Sequence, residues 1–276
     1  MAEKFIVIDT SKCTACRGCQ TACKQWNNLT AVATNNRGSY ENPPDLSSST
    51  YVKVLFHETE VDGEVKWHFG QRRCMHCADA GCIKACPVPG AITRDANGAV
   101  VINQGLCTGC KYCVFACPFD IPRYDSGNAE GAGVDRAYKC TMCFERQSMG
   151  MEPACTKTCP TGALSFAGEA KLAGIKAGAK DRGLEVYDGG PLATNVVFLL
   201  EDSPSAYGLP AKPAIPTPTY LWRTVMKPVG VVAFFAGLIA LIAHYVNVGP
   251  KVAEEETGTT APTGEGGGDS DVSSPY

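Results

Sequence analysis

CTGCKYCVFACPFD (residues 107–120) decides how this chain is read: three cysteines at three-residue spacing, a fourth four residues on, then a proline. The same C-x2-C-x2-C-x3-C run stands at Cys13, Cys16, Cys19 and Cys23. Looser relatives occur at Cys74, Cys77, Cys82 and Cys86 and at Cys140, Cys143, Cys155 and Cys159. Pro87, Pro118 and Pro160 follow the last cysteine of three groups, whereas Lys24 follows Cys23. A cubane [4Fe-4S] cluster needs four thiolates converging on four corners, and one tight loop supplies only three. In two-cluster ferredoxin units the run gives its first three cysteines to one cluster and its fourth to the other.

Disulfides are the first alternative for an even number of cysteines. Cysteines repeated every three residues crowd one another and converge on a shared centre, which argues against pairing across a fold. Zinc is the second: two C-x2-C pairs build a four-thiolate site. A third cysteine three residues later and a fourth four after that fit no zinc ribbon.

Two such runs make one two-cluster unit, so four runs make two. The middle groups are close in sequence and pair naturally, nested inside a unit made from the outer two. This predicts four [4Fe-4S] clusters. One uses Cys13, Cys16, Cys19 and Cys159; a second uses Cys140, Cys143, Cys155 and Cys23. A third uses Cys74, Cys77, Cys82 and Cys117; a fourth uses Cys107, Cys110, Cys113 and Cys86. With a thiolate at every corner, no [3Fe-4S] centre is expected.

All 16 cysteines of the 276 residues lie between Cys13 and Cys159, and none is left over. The 25 basic and 28 acidic residues leave a net charge of -3, so no basic face advertises nucleic acid. Residues 1–12 (MAEKFIVIDTSK) have no apolar core long enough for a signal peptide and no small-residue cleavage site.

Outward from the cysteines, residues 5–8 read as a strand that delivers Cys13 through a turn. Residues 51–56 and 65–69 flank Asp62-Gly63 and read as a hairpin. Residues 35–50, rich in Asn, Ser and Pro, read as a surface loop. Residues 169–183 predict a weak helix and 196–200 a strand. Prolines at 204, 210, 213, 216 and 218 predict an extended linker over 204–218.

Residues 229–248 carry no formal charge, and at about 1.5 Å per residue they match the roughly 30 Å hydrocarbon core, predicting one transmembrane helix. Lys227-Pro228 starts it, Gly249-Pro250 stops it, and Tyr220 with Trp222 suits an interfacial belt. Residues 251–276 carry six acidic residues and one basic one among Gly, Ser and Thr, which predicts a disordered tail.

Arg17 and Lys111 sit inside cysteine loops, where a cation would favour a reduced cluster; a solvated surface charge is the equal alternative. His76 reads as a loop or interface residue, since its group already has four cysteines. His57 and His68 carry no signal. His244, inside the span, reads as a snorkelling or interfacial histidine, with contact to a partner's haem or a quinone pocket as the functional alternative.

The chain resembles the iron-sulfur β subunit of membrane-bound respiratory formate dehydrogenases of the formate dehydrogenase-N type. The resemblance rests on CTACRGCQTACKQWN (13–27), NPPDL (42–46), CMHCADAGCIKACPVPGAI (74–92) and CTGCKYCVFACPFDIPRYD (107–125). KCTMCFERQSMGMEPACTKTCPTGALSF (139–166) and HYVNVGP (244–250) complete it. Cysteine runs of this kind serve many molybdopterin enzymes and some hydrogenases; the anchor and EPACTKTCPTGA narrow the choice. The N-terminal lead and the acidic tail depart from the family.

The resemblance implies a non-catalytic electron-transfer subunit. It would sit between a molybdopterin (Mo or W) catalytic subunit that oxidises formate and a membrane cytochrome b that reduces quinone. It also implies the nested cluster pairing and export with the catalytic subunit, placing the cluster domain on the periplasmic side of the inner membrane. Arg223 and Lys227 before the span and Lys251 after it lean weakly the other way. The rivals are the electron subunit of a hydrogenase or another molybdopterin oxidoreductase, and a zinc-binding membrane scaffold.

The expected fold class is α+β, two nested bis-[4Fe-4S] ferredoxin-like units with a C-terminal single transmembrane helix held in membrane lipid. Residues 1–59 and 126–170 form the outer unit and 60–125 the inner unit. Residues 171–220 form a peripheral segment and linker, 221–250 the anchor and 251–276 the tail.

Overall fold

The structure, a computed structural model, describes residues 3–124, 135–221 and 225–257. β1 (Lys4–Asp9) leads into the first cysteine loop and α1 (Gly18–Trp26). β2 (Lys53–Val61) and β3 (Glu64–Arg72) form an antiparallel hairpin. Its turn residues Asp62 and Gly63 both take positive φ, 54° and 80°, which matches the twist of the strands they join. α2 (Gly81–Ala85), the ribbon of β4 (Ile92–Arg94) and β5 (Val100–Ile102), and α3 (Tyr112–Phe115) carry the two middle cysteine groups.

β6 (Arg123–Tyr124) pairs with β7 (Ala137–Tyr138), ahead of α4 (Phe144–Ser148) and α5 (Ala154–Lys157), which frame the last group. β8 (Leu164–Gly168), α6 (Glu169–Asp181), β9 (Glu185–Tyr187) and β10 (Val196–Leu200) follow. α7 (Thr217–Leu221) precedes α8 (Lys227–Thr257).

The main sheet has strand order β8-β1-β10-β9. Its central pair, β1 and β10, is parallel, with Ile6 opposite Val196 and Ile8 opposite Phe198. Strands covered on both faces read as continuous apolar runs, and VVFLL of β10 is buried throughout. Successive side chains point to opposite faces. Val7, Val197 and Leu199 therefore pack on Leu172 and Ala179 of α6. Ile6, Ile8, Phe198 and Leu200 form the floor under the cysteine loops, in one core with Cys19, Met75, Met142 and Cys155.

Residues 192–196 are tied to the loop of Cys74 and Cys77. The Val196 amide donates to the Met75 carbonyl (3.2 Å), the Asn195 amide to the His76 carbonyl (3.2 Å), and the Ala78 amide to the Ala193 carbonyl (2.8 Å).

Several expectations are corrected. Residues 171–200 are not peripheral, because β10 is a central strand. The boundary between 59 and 60 cuts through β2, one arm of a continuous hairpin. Residues 204–218 are not a free linker: Tyr207 is 2 % exposed, and its hydroxyl accepts a 3.1 Å bond from Thr10. The Pro210 carbonyl accepts a 2.8 Å bond from the Tyr187 hydroxyl. Prolines remove backbone donors, but the aromatic anchor between them has ample apolar surface to bury.

The chain divides into two compact units, Met1–Arg223 and Thr224–Tyr276. In the second, Lys227–Val248 is a 22-residue stretch long and apolar enough to cross a membrane, and none of it is buried against protein. Its helix does not stop at Gly249-Pro250 but continues to Thr257, because Lys251 to Glu256 are mostly good helix formers that sustain it beyond the proline. The predicted tail is therefore helical at its start. Trp222 and Arg223, and the tail beyond Thr257, lie outside the described residues.

Candidate metal centres

The four cysteine loops share one backbone feature. The residue just before the second cysteine has positive φ in all four groups: Ala15 (52°), His76 (50°), Gly109 (71°) and Met142 (57°). Arg17 and Lys111, just after the second cysteine, repeat it (62° and 65°). Side chains avoid this region unless the surroundings enforce it. Alternation of left- and right-handed residues turns successive amides inward to make an anion-binding hollow, the kind that receives iron-sulfur groups. The Met142 amide donates to Cys140 Sγ (3.3 Å), Leu164 to Cys159 (3.4 Å) and Ala137 to Cys107 (3.4 Å).

Short helices then bring groups together in pairs, α1 against α5 and α2 against α3. Cys13 has Cys159 and Cys16 as electrostatic neighbours. Cys23 leaves its own loop and neighbours Cys140, Cys155 and Cys143. Cys77 neighbours Cys74, Cys117 and Cys82, and Cys86 neighbours Cys110 and Cys107. In every group the fourth thiol thus lies with the partner group. Cys19 also neighbours Cys155, so the two outer gatherings adjoin.

Two gatherings line pockets. Cys74, Cys77, Cys82 and Cys117 share one with Met75, Val100 and Phe119. Cys86, Cys107, Cys110 and Cys113 share another, beside Tyr124. Among the described residues, no three His, Cys, Asp or Glu side chains stand close enough to hold one ion. Thiolates that each bind a different corner of a cube stand farther apart than the ligands of a single metal. Gathered but spread thiols are the arrangement a cluster would use.

Burial and mutual repulsion push Cys117 up to about 11 and Cys143 to about 12, whereas at Cys159 burial is outweighed by hydrogen bonds from Leu164 and Thr161, which hold the thiol lower. Cys19 and Cys82 also rise to about 12, burial outweighing the nearby cations Arg73 and Lys139. Bare, these groups would hold their protons; a bound cationic iron would make thiolates of them.

Residues 65–169 match the sequence family described as 4Fe-4S dicluster domain, and residues 215–257 match Formate dehydrogenase N, transmembrane. The chain is 41% identical over 261 residues to the formate dehydrogenase-O iron-sulfur subunit of Escherichia coli, covering 91% of this chain and 85% of that one. It is 42% identical to the nitrate-inducible formate dehydrogenase iron-sulfur subunit of the same organism, covering 91% and 87%. The chain belongs to the formate dehydrogenase iron-sulfur subunits. A more distant relative, the formate dehydrogenase subunit beta of Megalodesulfovibrio gigas, is 37% identical over 218 residues, covering 74% of this chain and 97% of its own length.

A formate dehydrogenase iron-sulfur subunit carries [4Fe-4S] clusters and transfers electrons, and this one combines an α+β ferredoxin-like body with a single transmembrane anchor. Of the cations read from the sequence, neither reaches a thiol. Arg17 donates to the Tyr40 carbonyl and lies 5.0 Å from the centre of the Phe56 ring. Lys111 is exposed and pairs with Asp135 at 3.8 Å. His76 is fully buried rather than at an interface; its Nδ1 accepts a 2.9 Å bond from the Val100 amide. His57 and His68 lie on β2 and β3, and His68 shares a 2.8 Å bond with Thr59. His244 is on α8, with its side chain exposed.

The cations that do approach the cysteines were not read from the sequence. Arg73 lies 3.4 Å from both Cys140 Sγ and Cys155 Sγ. Lys139 donates to the Val100 and Cys140 carbonyls and walls the cavity of Cys74 and Cys82. Their only trace in the sequence is a basic residue immediately before the first cysteine of a group, a feature shared by Lys12, which stands exposed beside Asp9.

Proposed function

We propose that this subunit relays electrons through four [4Fe-4S] clusters, from a molybdopterin catalytic subunit that oxidises formate to a membrane cytochrome b and on to quinone. It does no bond chemistry itself. A [4Fe-4S] cluster accepts and releases one electron at a time. The clusters are held by Cys13, Cys16, Cys19 and Cys159; by Cys140, Cys143, Cys155 and Cys23; by Cys74, Cys77, Cys82 and Cys117; and by Cys107, Cys110, Cys113 and Cys86. The outer and inner pairs make two nested units. The anchor holds the relay at the inner membrane, with the cluster body on the periplasmic side.

The observation that carries this reading is the crossing of the fourth cysteine into the partner group, seen most fully at Cys23. The buried groups around the thiols support it: hydrogen bonds and fixed charge near the sulfurs set cluster potentials.

Anaerobically purified protein is expected to contain about sixteen iron and sixteen sulfide per chain, four of each for each cluster. Low-temperature EPR after dithionite should show interacting signals, and formate, not hydrogen, should reduce the clusters in the native complex. Near-zero iron with stoichiometric zinc would end the electron-transfer reading.

A further inference from the structure

Arg73 is buried without a carboxylate to balance it. It is 2 % exposed, and its Nη1 and Nη2 each point at a cysteine sulfur, Cys155 and Cys140, at 3.4 Å. Among the described residues no acidic group pairs with it, and the charges that act on it most belong to Cys155, Cys140 and Cys23. An unpaired buried charge is strongly destabilising. A fold keeps such a group only where an anion is its usual neighbour. Three thiolates of one quartet are that anion, and no surface role explains a guanidinium placed here.

The arginine does not act alone. Its Nη1 also lies 3.4 Å from Gln71 Oε1, and Gln71 Nε2 donates to Cys19 Sγ at 3.0 Å. Gln71 is itself 3 % exposed. Gln71 lies in β3 and Arg73 just past its end, two residues on, and their hydrogen bond brings the two side chains together on one side. A continuous polar chain therefore runs from Cys19, through Gln71 and Arg73, to Cys140 and Cys155. It joins the two outer quartets without passing through water.

We infer that Arg73 is the residue that sets the reduction potential of the cluster on Cys23, Cys140, Cys143 and Cys155 above that of a neutral site, with Gln71 extending the link to the adjacent cluster on Cys19. The inference rests on the four-cluster reading above. An added electron puts one more negative charge beside a fixed positive one, with no proton taken up. The cation and its two N–H···S contacts both favour the reduced state, and in a buried site their effect is little screened. The electron comes from the neighbouring cluster and passes onward, so the step balances as a one-electron transfer. Arg73 is a positioning residue in this sense, touching ligand sulfurs and reaching no substrate.

The test is EPR-monitored redox titration of the full chain in its native complex, carrying Arg73→Gln, with iron and sulfide measured on the same sample. The expected result is full cluster content and at least a tenfold weaker reduction of one cluster, which for one electron is a fall of about 59 mV. The midpoints of the two clusters on the inner cysteine groups should not move. Gln71→Leu should weaken the magnetic interaction between the two outer clusters while leaving that midpoint less affected.

Four unchanged midpoints in a fully loaded Arg73→Gln protein would overturn the inference, as would an equal shift of all four. Should Arg73→Gln lose iron, Arg73→Lys decides. A more strongly hydrated ammonium without the two-pronged fork predicts a smaller fall confined to the same cluster, and an unchanged midpoint overturns it. Failure of the underlying reading looks different: the unaltered protein itself would then lack iron.

Discussion

Cys23 lies on the same helix as Cys19 but belongs to a different neighbourhood, because a helical offset of four residues carries its thiol one turn along α1, to where Cys140, Cys143 and Cys155 gather. That thiol is 5 % exposed and accepts a 3.6 Å contact from Asn27 Nδ2. Cys23→Ser should therefore damage the cluster of the last cysteine group and spare the one built on its own loop. Iron content should fall, and the lost EPR component should be the one whose midpoint also responds to Arg73→Gln. Loss of the component associated with Cys13, Cys16 and Cys19 instead would refute the crossed arrangement. Cysteine positions were legible because ligand spacing is a local property of the chain. Arg73 and Lys139 were not, since whether a cation beside a cysteine turns inward depends on which distant thiols complete the site. Arg17 and Lys111 sit inside loops and looked the better candidates, but their left-handed backbone aims them at Tyr40 and Phe56 and at Asp135.

At the scale of elements, the close approach of α2 and α3 holds the inner cysteine groups together, and a missing side chain permits it. A Cβ on Gly81 would come within 2.3 Å of the Ala116 carbonyl oxygen, a backbone atom that cannot swing aside. Gly81→Ala should cost about 1–3 kcal/mol by overpacking, strained next to Cys82 and Cys117. Its urea midpoint, read by loss of visible absorption, should fall. Gly174→Ala on α6, where a Cβ meets nothing within 4 Å, is the control and should stabilise by about 0.5–1 kcal/mol. If both variants melted alike, the packing of α2 on α3 would not limit stability. The hairpin and β10 were legible, one from Asp62-Gly63 between alternating strands and the other from the run VVFLL. The strand β8 was not, because LSFAG alternates weakly and becomes a strand through pairing with β1, Ile6 opposite Phe166. Residues 204–218 misled because prolines mark extended backbone whether it hangs free or packs, and the burial of Tyr207 against Thr10 and His68 is a tertiary fact.

At the scale of the whole molecule, the two units differ in what their apolar residues do. In the first they face inward, around Ile6, Phe198 and Met142. In the second they face outward: Val232, Phe234, Ile239 and Leu241 are each 67–69 % exposed along α8. Twenty-two residues of such surface have no protein to cover them, and soluble proteins rarely expose contiguous apolar patches of more than a few hundred Å2. Lipid is the medium that removes the cost, and the helix satisfies its own backbone within it. The cysteine loops, by contrast, draw every thiol from the first unit. A chain ending at Arg223 and expressed without partners should therefore appear in the soluble fraction, keep the visible absorption and iron content of the full chain, and need no detergent. The full chain should require detergent for extraction. If the shortened chain lost its iron while remaining folded, the anchor would have a role in holding the clusters. If it stayed with the membrane, α8 would not be what tethers the protein.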